Sequence, residues 1–186
     1  MVTKRQDAPG ALELVRAFVN TLDVEGGADE LVTPAGLAAW LTARGLLEEG
    51  VRAGQAEQER AVAVRAALRT LLVANNGGTL EPGAAIVLDA AASRAGVALR
   101  FLFGGQALLE PAAAGVDGAI GRILAVVAAA QREGTWIRLK ACRNGDCLWA
   151  FYDHARNRSR SWCSMAVCGN RAKARAHRAR SGAAGR

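Results

Sequence analysis

The chain has 186 residues, 51% of them hydrophobic but only 5% aromatic, which favours a core of small aliphatic side chains packed between helices over a β-sandwich. The length allows one ordinary core and a small appended module, and no apolar run reaches membrane-spanning length, so the reading is of a soluble, cytoplasmic protein with no membrane role. Of the net charge of +7, nine basic groups and no acidic ones fall between His154 and Arg186, which leaves residues 1–153 with two negative charges in excess.

In chain order, Met1 to Gly10 lacks the apolar stretch of a secretory leader. Leu12, Val15, Phe18, Val19 and Leu22 recur at intervals of three and four and predict a helix over 11–22, with Asn20 and Thr21 on its polar side. These two are more simply a cap and a surface hydroxyl than a ligand site. A small-molecule effector of unspecified chemistry, if sensed, is expected between this helix and the strands at 97–109. Thr33-Pro34 starts a second helix that buries Leu37, Trp40 and Leu41, and Gly45 ends it. A third helix covers 55–74 and is closed by Asn75-Asn-Gly-Gly78; a fourth runs from Pro82 to Gly96 with Ile86 and Leu88 toward the core. Val97–Phe103, Gly104-Gly105 and Gln106–Leu109 predict a hairpin. Val116, Ile120, Ile123, Leu124 and Val127 restore helical periodicity as far as Gly134, and Thr135–Lys140 alternates as a strand.

The strand delivers the chain into Cys142-Arg-Asn-Gly-Asp-Cys147, matched downstream by Cys163-Ser-Met-Ala-Val-Cys168. These are the only cysteines, spaced C-x4-C-x15-C-x4-C, two half-sites suited to one tetrahedral Zn²⁺. Two disulfides and inert buried thiols are the competing readings, and the paired spacing and the expected reducing compartment favour zinc. Four thiolates fill the coordination shell, so the ion is expected to be structural; Asn144 and Gly145 are expected to supply the first turn. Between the half-sites, Leu148–Tyr152 reads as an aromatic strand and Asp153–Ser161 as an arginine-bearing return. Trp149, Phe151 and Trp162 form a small core around the metal. From Ser164 to Arg180 a helix is expected, with Ala172, Ala176 and Ala179 on one stripe and Arg171, Arg175 and Arg178 alongside. Knuckle, hairpin, knuckle and helix in that order resemble a treble clef. With no linker between, this module (138–186) is expected to dock closely on an N-terminal domain (1–137), giving an α+β chain: a mostly helical first domain with a small antiparallel sheet, then the finger.

Cys168-Gly169-Asn170-Arg171, with Phe151-Tyr-Asp153, Arg156-Asn157 and Trp162-Cys163-Ser164-Met165, resembles the CGNR zinc finger over about 138–180. Phe18-Val-Asn-Thr21 together with Thr33-Pro34, Leu37, Trp40 and Leu41 resembles the ABATE domain that precedes this finger in proteins described as stress-induced transcription regulators. Ala155 and Ala17 depart from the family pattern, which commonly has Ser and Asp there. The resemblance implies a DNA-binding regulator. Arg156, Arg158 and Arg160 in the hairpin return, and Arg171, Lys173, Arg175, Arg178 and Arg180 in the helix, are the candidate nucleic-acid contacts. RNA or an acidic protein would suit the same cations, which keeps an RNA-binding protein or a zinc-stabilised protein–protein interaction module as alternatives; a homodimer or a partner in the transcription machinery would add specificity. The only histidines are His154 and His177, and no nucleophile–base arrangement lies outside the metal site, so no enzyme is expected.

Overall fold

The computed structural model describes residues 7–183. Five helices and a hairpin form the N-terminal part: α1 (Leu12–Val19), α2 (Pro34–Thr42), α3 (Gln55–Ala74), α4 (Pro82–Ala95), the antiparallel strands β1 (Val97–Phe101) and β2 (Ala107–Pro111), and α5 (Gly115–Arg132). A 3₁₀ turn at Trp136–Arg138 leads into β3 (Leu139–Ala141), which pairs antiparallel with β4 (Ala150–Tyr152); a π-helical turn at Met165–Gly169 then opens α6 (Asn170–Ala183). The architecture is α+β, with two small antiparallel sheets and a four-cysteine cluster in the C-terminal region.

The long α3 is central. Ala61, Val64, Leu68 and Leu72 follow one another at three and four residues and are all buried against α1, α2 and α5. Phe18 meets Trp40 edge to face at 5.4 Å between ring centroids, joining α1 to α2. The Thr33 hydroxyl accepts from the Gly36 N–H, and Pro34 occupies the first turn, so the predicted start of α2 is realised.

Two cations on α3 are also buried, which periodicity alone did not suggest. Arg65 grips Asp29 with two parallel bonds of 2.5 and 2.8 Å, while Arg69 donates to the Val19 and Leu22 carbonyls at the end of α1. Burial, then the neighbouring Arg65 charge, pulls Arg69 down to about 10, which still leaves it protonated at neutral pH.

Four expectations are corrected. Helix α1 stops at Val19, so Leu22 lies beyond it in a bridge to Asp29. Ile86 is exposed rather than core-facing, because α4 buries its alanines Ala84 and Ala95 instead. The alternating segment from Thr135 winds into the 3₁₀ turn before the strand begins at Leu139. Finally, Asn20 is the C-cap of α1 as expected, but it and Thr21, expected on the polar side as a surface hydroxyl, are buried.

The β3–β4 hairpin explains how the finger is seated. Its register pairs Leu139 with Tyr152, Lys140 with Phe151 and Ala141 with Ala150. Alternation therefore sends Leu139, Ala141, Ala150 and Tyr152 into the main core, while Phe151 joins the cysteine cluster. Each hydrophobic cluster thus uses one face of the same two strands.

Candidate metal centre

The two half-sites converge. All four sulfurs lie within 4.8 Å of one another and all four cysteines are buried. Tetrahedral zinc with bonds of about 2.3 Å places its thiolates about 3.8 Å apart. Cys147 and Cys163 sulfurs are 3.6 Å apart and those of Cys163 and Cys168 3.7 Å, so these pairs already stand at the separation that ion requires, and the donor set fits it.

The thiols themselves show why a cation belongs there. Hydrogen bonds from Cys147 and Cys163 hold Cys142 far below the usual thiol range. That same hydrogen bond to Cys142 raises Cys163, and burial followed by the charges of its neighbours pushes Cys168 up to about 12. Four thiolates so close together require a divalent charge between them. The four cysteines form a single site for Zn²⁺.

Local backbone chemistry positions each ligand. At the first knuckle the Asn144 carbonyl accepts from both Cys147 and Leu148 N–H groups. The turn therefore lies at Asn144 and Gly145, as expected, and the backbone leaves it through a left-handed conformation at Leu148 (φ 47°). At the second knuckle Gly169 follows Cys168, and an added Cβ would run into the Met165 side chain folded over it. Asn170 then caps back onto the Ala166 carbonyl through Nδ2 (3.1 Å) as α6 begins. Phe151, Trp149 and Trp162 pack against the sulfurs as predicted.

Around this centre lies a polar frame that sequence reading largely missed. Asp153 is fully buried; its Oδ2 accepts from Lys140 Nζ (2.8 Å) and the Arg160 N–H (2.9 Å), and its Oδ1 from the Ala155 N–H (3.0 Å). Burial alone would raise its carboxyl, but the Lys140 bond, the backbone donors and the Lys140 charge outweigh it and hold Asp153 below the usual carboxylate range. Lys140 also donates to the Arg158 and Arg160 carbonyls, tying down the return loop. The signal available in the sequence was Lys140 itself, a charge on a strand otherwise made of core residues.

Three asparagines lock the finger to the helices. Asn20 Nδ2 donates to the Ala150 carbonyl (2.9 Å) and Oδ1 accepts from the Ala150 N–H (2.8 Å), so its amide pairs with β4 like an added strand residue. Asn75 Nδ2 reaches the Trp136 and Leu139 carbonyls, and Asn76 Nδ2 reaches those of Ala141 and Ser161. Thr21 donates to the Phe18 carbonyl and accepts from Arg65. Both Asn20 and Thr21 are therefore committed internally.

The predicted cations divide into two groups. Arg160 turns inward, donating to the Trp162 and Cys163 carbonyls and lying 5.2 Å from the Phe151 ring centroid. Arg171 pairs with Glu25 of the N-terminal part, and Arg175 donates to the Asn144 side chain (3.2 Å). Arg156, Arg158, Lys173, Arg178 and Arg180 are exposed. Arg186 lies outside the described residues. The alanine stripe does not pack: Ala172 is half-buried, Ala176 and Ala179 are exposed, and α6 projects from the body.

The family model for the ABATE domain, described as "Putative stress-induced transcription regulator", matches residues 12–133, well over half of the chain. The chain belongs to the ABATE family. A second family model, the CGNR zinc finger, matches residues 138–181, so the ABATE domain is followed directly by the module that holds the cysteine cluster. No curated protein matches the sequence. Among the described residues no helix of this ABATE protein is long and apolar enough to cross a membrane.

Proposed function

We propose that this protein is a zinc-dependent DNA-binding transcription regulator whose finger grips duplex DNA through α6 and the hairpin return. The observation that carries the reading is α6 itself: it has no acidic residue, Lys173, Arg178 and Arg180 stand exposed on it, Arg171 and Arg175 are held only by Glu25 and Asn144, and among the described residues every side chain beyond its first turn is exposed. Arg156 and Arg158 stand exposed on the return loop, which Lys140 and Asp153 hold beside the same metal, so zinc fixes the relative position of the two basic clusters. Arg160 braces the loop from within and serves position rather than contact. Four buried thiolates leave zinc no open position for a substrate, in keeping with a non-enzymatic role.

The N-terminal part offers a groove of about 870 Å³ between the start of α1, strand β2 and α5, lined by apolar Leu12, Leu109 and Val126 with Arg122 and Glu110 among them. It lies at the seam anticipated for an effector, but Asn20 and Thr21 do not line it. An effector site, on this reading, is assigned to the groove and not to those two residues.

A salt titration of the zinc-loaded protein with duplex DNA, single-stranded DNA and RNA tests the reading. Duplex preference is expected, with log K falling against log salt by roughly 0.9 per phosphate contacted, and Arg178→Ala reducing that slope by about one. Equal binding after zinc removal would reduce the finger to a charged tail, and preference for RNA would reassign its ligand.

A further inference from the structure

The β1–β2 hairpin is the least explained part of the molecule. Leu99 and Phe101 are 52% and 73% exposed, and Phe103 at the tip is fully exposed at 110%. The sheet has two strands only, so the far edge of β1 pairs with no other strand among the described residues. The Leu102 N–H donates to the Gln106 carbonyl and the Ala112 N–H to that of Gly96; in an antiparallel ladder this turns residues 98 and 100 toward β2 and the backbone groups of Val97, Leu99 and Phe101 outward. An apolar edge of this length, with neither proline nor bulge, is a template for another strand.

We infer that this edge joins a second copy of the same chain, β1 against β1 about a two-fold axis through Leu99, making a continuous four-stranded sheet. The hydrogen-bonding groups agree with that centre, because Leu99 would face its own counterpart and Val97 would face Phe101. Charge placement selects it too. Ala98 opposes Glu110 within the hairpin, and Arg100 opposes Leu108. Across the two-fold, Arg100 meets Ala98 of the second copy, whose methyl lets the guanidinium pass to Glu110 of that copy one strand further, about 10 Å away along the row. Neither Arg100 nor Glu110 forms an ion pair within the chain among the described residues, and symmetry uses both twice. An axis through Arg100 would instead oppose two like charges and turn paired backbone groups to the interface. On the other face Leu99, Phe101, Ala107 and Leu109 line up with their symmetry mates as one apolar strip.

Sedimentation equilibrium of the zinc-loaded full chain across the micromolar range tests the pairing. The mass is expected to approach twice the 19.4 kDa of one chain. Ala98→Arg supplies a partner for Glu110 inside its own hairpin but opposes Arg100 of the second copy, so the fold is retained while dimerisation weakens about tenfold or more. Arg100→Glu alone weakens it likewise, and the double reversal Arg100→Glu with Glu110→Arg restores it. A chain that stays monomeric throughout, a dimer indifferent to Ala98→Arg, or a double reversal that fails to restore association would each overturn the inference.

Discussion

Asn20 joins α1 to the finger with a single amide, and both of its bonds end on the buried backbone of Ala150. Replacing it with alanine leaves one N–H and one carbonyl without partners in the interior, a cost of about 2–4 kcal/mol. Chemical denaturation of Asn20→Ala should show that loss with an unchanged slope, whereas a residue serving a ligand would leave the free protein's midpoint in place. Asp153 and Asp29 make the molecule acid-sensitive. Burial opposes ionisation of Asp153 but its donors prevail, and the Arg65 bond leads in holding Asp29 low. With folded values below the unfolded ones, both contribute stability that is fully present above the unfolded range near pH 4 and disappears as pH falls through the folded values. Asp153→Asn should flatten the acid limb of a stability–pH curve. Because it strands the Lys140 ammonium in the interior, it should also cost about 3–5 kcal/mol at neutral pH.

Helix α6 is the element whose stability comes least from packing. Beyond its first turn every described side chain is exposed, and its cations repel one another along 14 residues, a length at which an isolated helix is marginal in water. Amide hydrogen exchange over residues 173–183 should therefore be fast in the free protein and slow by at least about tenfold on bound duplex, as phosphates neutralise the charge and fix the turns. Unchanged exchange on saturation with DNA would remove α6 from the interface. The ion pair from Arg171 to Glu25 bears on the same element, since it holds the start of α6 against the loop that follows α1. In a partly exposed setting such a pair is weak and would yield to a phosphate.

At the scale of the whole molecule, the β3–β4 hairpin makes metal binding and the helical core one cooperative system. Leu139, Ala141, Ala150 and Tyr152 are core residues, yet Ala141 adjoins the first zinc ligand and Ala150 lies beside Phe151 of the metal cluster. Removing zinc with a strong chelator should thus lower the melting temperature of the entire chain as a single transition, not leave the N-terminal part melting where it did. Calorimetry with and without chelator distinguishes the two outcomes, and two separate transitions would show that the hairpin fails to transmit the loss.

The amino-acid sequence by itself determined the parts of this protein that depend on local rules. Cysteine spacing specified the zinc site, periodicity placed the helices, the Thr33-Pro34 start and the glycine turn bounded their elements, and the run of arginines without acids marked a basic module. Tertiary structure decided what each polar residue is for. Asn20, Thr21, Asn76, Arg65, Arg69 and Asp153 look like caps, surface groups and loop residues in one dimension, because a hydrogen bond between positions as far apart as 20 and 150 leaves no periodic trace. It also decided which cations are free, turning Arg160 inward to hold the loop while leaving Arg178 and Arg180 in solvent. The physical reason is the same throughout: apolar pattern reports a residue's own preference for burial, whereas a polar side chain is placed by a partner that only the fold brings within about 3 Å.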